Sequence, residues 1–171
     1  MPSTYTLIKG ETIGSSAASY TFTAIPSTFT DLVVKASAQA TGSGYDFDNI
    51  TVTFNGSSAT NQSNTRLVGN GSAASSNRGT NQGTLLPNVM PKGIVAGNPW
   101  CNIELYIPNY AGSTNKPSSA FGVGEANQTE AWMSTLAGLF SSTASVSSIV
   151  LTGTADFAAG SSFYLYGIKN S

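Results

Sequence analysis

The chain has 171 residues, of which 9% are charged, with 7 Lys and Arg against 8 Asp and Glu and no histidine at all. That excludes the commonest general base and metal ligand, and seven scattered cations at a net charge of -1 do not form the basic stripe of a duplex-binding protein. Hydrophobic residues at 40% are enough for one packed domain over residues 1–171, and so little charge leaves close packing of copies almost unopposed.

Short apolar/polar alternations, cut about every ten residues by Gly, Pro, Asn and Ser, predict strands. Residues 4–9 and 19–24 open the series, the second with Tyr20, Phe22 and Ala24 on one side. Leu32, Val34, Ala36 and Ala38 then alternate with Asp31, Val33, Lys35 and Ser37, and Ile50, Val52 and Phe54 alternate with Thr51 and Thr53. The latter run ends in Asn55-Gly56, a pair suited to the positive dihedrals of a tight turn. Residues 68–99 are rich in Gly, Asn, Ser and Pro and are expected to form a long loop or arm. Its apolar middle, residues 84–91, needs cover from its own sandwich or from a neighbouring subunit.

Residues 100–107 and 119–123 again alternate. Residues 129–140 satisfy two periods: Trp132, Leu136, Leu139 and Phe140 recur at helical spacing, whereas Ala131, Met133, Thr135 and Ala137 recur at strand spacing. Gly138 weakens a helix interior, and the neighbours are strands, so a strand is predicted. Residues 145–151 and 161–168 complete the set. About nine short strands at this spacing predict an all-β fold, a two-sheet antiparallel β-sandwich of jelly-roll type.

Chemistry-bearing patterns are sparse. A serine nucleophile would need a base other than histidine, and nothing local selects Lys9, Lys35, Lys92, Lys116 or Lys169 for that role. Asp46 and Asp48 lie two apart, about 7 Å on one strand face, which admits a polar strand entry, a calcium site with Asn49, or a glycosidase pair. The chain has no phosphate-binding loop ending in Gly-Lys-Ser/Thr and no Cys-x-x-Cys. Cys101, in the run from Trp100 to Ile107, reads as a small buried apolar residue. The expectation is a non-enzyme with no catalytic, cofactor or metal residues. Tyr164 and Tyr166 alternate with Phe163 and Leu165, so one pair must face outward or against a partner. The seven tyrosines also offer stacking faces for sugars. The first residues carry neither a basic start nor an apolar run, and no stretch approaches the roughly 20 apolar residues that span a bilayer. Synthesis in a cytoplasm, without membrane or nucleic-acid partners, is the expectation.

Several stretches resemble a family of small β-sandwich virion proteins of tailed bacteriophages, especially phages of aquatic bacteria and cyanophages. They are Tyr5-Thr6-Leu7-Ile8, Tyr20-Thr21-Phe22-Thr23-Ala24-Ile25-Pro26 followed by Thr30-Asp31-Leu32-Val33-Val34, and Phe54-Asn55-Gly56-Ser57. The most distinctive are Glu104-Leu105-Tyr106-Ile107-Pro108-Asn109-Tyr110-Ala111-Gly112 and Ser162-Phe163-Tyr164-Leu165-Tyr166-Gly167-Ile168. The resemblance spans most of the chain except its middle, and it brings no functional residues with it. It implies a virion structural protein, either a decoration (cement) protein on the outer capsid surface or a tail or head-fibre module. The implied partners are the major capsid protein and copies of the chain itself, with a homotrimer favoured, and host-surface glycans for an appendage.

Overall fold

The computed structural model describes residues 4–42, 47–56, 60–92, 99–126 and 130–169. Among them run twelve strands and no helix: β1 (Tyr5–Thr12), β2 (Ala17–Phe22), β3 (Asp31–Ser37), β4 (Phe47–Phe54), β5 (Gln62–Gly69), β6 (Ala74–Thr80), β7 (Thr84–Pro91), β8 (Asn102–Ile107), β9 (Lys116–Glu125), β10 (Ala131–Phe140), β11 (Ile149–Phe157) and β12 (Ser162–Ile168). Eight form one sheet in the order β1-β12-β3-β8-β9-β10-β5-β6, and four form a second in the order β2-β11-β4-β7. Their pairings are antiparallel throughout.

Period-two alternation builds the core. Phe163 and Leu165 of β12 are buried and face Ala36 and Val34 of β3 in register, whereas Tyr164 and Tyr166 point the other way. The smaller sheet answers with Phe22, Val52, Phe54, Ile149 and Leu151. Rings from the two sheets meet directly. Tyr20 stacks on Phe163 with centroids 4.4 Å apart, and Phe54 lies 5.4 Å from Phe140. Each such side chain contributes about 1.5–3 kcal/mol when fully buried. The molecule is a β-sandwich, eight strands against four.

Glycines on the inward side of β9 bring the sheets close. A Cβ on Gly124 would sit 2.4 Å from the Val89 carbonyl oxygen, and one on Gly122 would sit 2.8 Å from the Val89 side chain. β7 therefore packs tightly beneath β9, β10 and β5. β6 lies beyond this support and makes extensive contact with β5 alone. At the opposite side the sheets are laced together. The Tyr20 hydroxyl donates to the Glu11 carboxylate over 3.0 Å, and the Lys9 ammonium lies 5.4 Å from the Tyr20 ring centre.

Three expectations change. The stretch 68–99, expected as a long loop or arm, holds two strands, β6 and β7, with residues 93–98 outside the described part. β7 accommodates Pro87 and Pro91 because it is the last strand of its sheet, where missing N–H groups break no ladder. β6 has no apolar alternation because it is exposed on both faces. The run expected at 145–151 starts only at Ile149. Asn55, at φ 55, accepts the backbone N–H groups of Ser147 and Ser148 (2.8 and 3.2 Å) and takes them out of any ladder. The Asn55-Gly56 turn itself has both residues at positive φ, as expected, but it joins the two sheets instead of closing a hairpin. Residues 131–140 form a strand, as their neighbours suggested.

Candidate interaction surface

The eight-stranded sheet turns one face away from the core. Register fixes its composition row by row. One row runs Leu67, Thr135, Phe121, Glu104, Lys35, Tyr164 from β5 to β12. The next runs Thr65, Ala137, Ser119, Tyr106, Val33, Tyr166. Of the seven exposed large hydrophobic side chains among the described residues, only Trp100 stands apart from this sheet's strands.

In the half made by β1, β12, β3 and β8 the inner three strands satisfy their outward groups within the chain, whereas Tyr5 and Leu7 on the edge strand β1 stay 51% and 54% exposed. Val33 faces outward yet is only 2% exposed, because its cross-strand neighbours on either side are Tyr166 and Tyr106. Tyr5 meets Tyr166 edge-on at 6.3 Å. The Tyr106 hydroxyl donates to the buried Asp31 carboxylate (2.7 Å), whose other oxygen accepts the Asn109 N–H (2.9 Å) and holds that residue at φ 47. Donating this hydrogen bond to Asp31 pushes the Tyr106 phenol above its ordinary value of 10.0. Lys35 and Glu104 form an ion pair at 2.7 Å, which raises the lysine.

The half made by β9, β10, β5 and β6 is different. Leu67 is 56% exposed, Met133 48% and Phe121 43%, and Leu139 is also exposed. A shallow groove of about 490 Å³ runs between Met133, Val123 and the β5–β6 turn, and continues along Leu67 and Ser76. The turn is built to last: Asn70 Oδ1 accepts the N–H groups of Ser72 and Ala73, with Gly71 at φ 86.

Among the described residues, those considered for chemistry do not assemble into a site. Asp48 is buried at the start of β4 with Oδ2 lacking a hydrogen-bond partner among the described residues, and Asp46 lies outside them. No group of three or more His, Cys, Asp or Glu among the described residues could hold a metal ion. Lys116 is buried with its ammonium donating to the carbonyls of Gly112, Thr114 and Ser142, so it ties two loops together. Desolvation lowers its pKa, while the three carbonyls favour the charged form. Cys101 is buried beside the Ala38 backbone, and burial pushes its thiol up to about 12, which makes it inert. Sequence reasoning left open which β12 pair faces outward, and it missed β5 and β6, and with them Leu67 and the groove. Comparison with known proteins found no family model, no curated protein and no solved structure that matches this chain.

Proposed function

We propose that this chain is a virion structural protein and not an enzyme: a capsid decoration (cement) protein that binds the outer capsid lattice and stabilises the head. Its partners in this reading are the major capsid protein and copies of itself. The observation that carries it is the exposed apolar half-face of Leu67, Met133, Phe121 and Leu139 on the eight-stranded sheet. Apolar area of this kind is gained from water only when a partner surface covers it. The resemblance of the β8 and β12 segments to phage virion proteins supplies the kind of partner.

A decoration protein stabilises by linkage, because its binding free energy is available to the assembled shell and not to free capsid subunits. Many identical copies add avidity. Near-zero net charge suits it to dense arrays. Purified protein added to undecorated heads should give lattice-wide density in electron micrographs, and the decorated heads should resist heating better. Density restricted to a vertex or the tail would overturn this placement. It would favour the second reading, an appendage module, for which exposed Tyr5 beside Tyr166 and the Lys35–Glu104 pair offer a stacking and hydrogen-bonding platform for host glycans.

A further inference from the structure

The four outermost strands of the two sheets differ in how their open edges are guarded. β1 carries a register irregularity between Leu7 and Lys9 and is tied to β2 through Tyr20, Lys9 and Glu11. β7 carries Pro87 and Pro91. Bulges, charges, prolines and covering contacts are the devices by which sheet edges avoid pairing with other chains. Among the described residues, β6 carries a single charge and none of the other devices. It pairs with β5 in unbroken register from Ala74 to Thr80, contains no proline, and has Arg78 as its only charge. Six of its seven residues are exposed, on both faces of the strand.

We propose that β6 is a self-pairing edge, through which two copies of the chain join antiparallel about a two-fold axis at Asn77. The register follows from the sequence of the strand. Antiparallel partners must share a face, so the axis passes through a residue. An axis at Asn77 pairs all seven residues, Ala74 with Thr80, Ser75 with Gly79 and Ser76 with Arg78. An axis at Arg78 would set two arginines opposite each other, and an axis at any other residue shortens the ladder. Isologous pairing of one patch with itself is the commonest route to a closed dimer. A two-fold edge contact differs from the three-fold arrangement that the resemblance implies.

Pairing has a consequence for the proposed capsid contact, on which this inference builds. Four strands about 4.8 Å apart and eight residues long cover roughly 500 Å², short of the roughly 800 Å² per partner of a stable interface. The two-fold keeps outer faces on one side, so two apolar half-faces abut and together present about 1,000 Å². The dimer then offers the lattice a surface of sufficient size.

The test uses the full chain without any capsid. Sedimentation should give twice the 17.5 kDa chain mass. Asn77→Cys places two thiols on the axis, within the Cα separation of 4.4–6.8 Å that a disulfide spans, and should yield a covalent dimer under mild oxidation. Arg78→Cys places them about 8 Å apart across two residues and should not. Ser76→Glu should tighten the dimer at least fivefold by facing Arg78 of the second copy, and Ser76→Arg should weaken it by as much. Equal cross-linking at both positions, the same sign of effect for both Ser76 variants, or a monomer or trimer in solution would overturn the inference. A monomer that still decorates heads would do so while leaving the proposed function standing.

Discussion

The two halves of the outer sheet face share one backbone and one set of rules, yet they end in opposite states. Beside β12, tyrosines shelter Val33, a carboxylate takes the Tyr106 hydroxyl, and a lysine neutralises Glu104. Beside β10, Leu67, Met133 and Phe121 stand in the open with nothing from the described chain over them. Apart from Tyr5 and Leu7 on its edge strand, the first half spends its chemistry on the fold, and the second leaves its apolar side chains uncovered by the described chain. Support from below does not follow this division, because β7 packs beneath β9, β10 and β5 of the open half and only β6 lies beyond it.

The largest expected effect breaks the apolar half. Leu67→Asp combined with Phe121→Asp should weaken binding to heads by about 3 kcal/mol, roughly a hundredfold, since buried interface anchors cost 2 kcal/mol or more when lost. Stability by urea titration should move by less than about 0.5 kcal/mol, as for other exposed positions. A large stability loss with unchanged head binding would reverse the assignment of the two halves.

Asp31→Ala should show the complementary pattern. It strands the Tyr106 hydroxyl and the Asn109 N–H and releases a turn at positive φ, so urea unfolding should lose about 2–3 kcal/mol. Head binding should be unchanged at temperatures where the variant is folded.

How much of this division was readable beforehand follows from what side-chain periodicity records. β3, β4, β8 and β12 have one face in the core, so their alternation was visible in Leu32, Ile50, Ile103 and Phe163. The same rule showed that one of the pairs Tyr164/Tyr166 and Phe163/Leu165 must face away from the core, and the structure turns the tyrosines outward. β6 buries neither face, and a strand held only by a neighbour's backbone leaves no hydrophobic period to detect. β7 was hidden by its prolines, which local rules assign to loops unless the strand is known to be an edge. The candidate surface depended on β5 and β6, so it became visible only once cross-strand register placed Leu67 in line with Phe121. The Ser147 and Ser148 segment failed for a different reason, because a side chain 92 residues away in sequence, Asn55, captured its backbone donors.

Alkaline pH separates the halves more gently. Tyr106 has a raised pKa in the folded state because Asp31 holds its proton, so the unfolded chain ionises first. Its contribution is fully present below pH 10.0 and is lost as pH rises through the folded value. Burial adds the same sign at Tyr110, and at Cys101 from pH 9.0 up to about 12. Tyr106→Phe should cost about 1 kcal/mol at pH 8 and flatten part of the decline in stability above pH 10, read from denaturant midpoints at successive pH values.

The smallest effect tests whether the ion pair in the sheltered half matters to the fold at all. Lys35 and Glu104 lie 2.7 Å apart, but each side chain is about half exposed, so water and salt screen the attraction. A double-mutant cycle with Lys35→Ala and Glu104→Ala should give a coupling of at most about 0.5 kcal/mol, shrinking further in 1 M salt. Their place in the row that also holds Phe121 and Leu67 gives the pair a second possible use, which is to keep the centre of the face neutral when copies or partners approach. If so, replacing Glu104 with Lys should leave unfolding midpoints nearly unchanged while slowing association with heads in a salt-dependent manner, because two like charges would then meet any surface that docks beside Phe121.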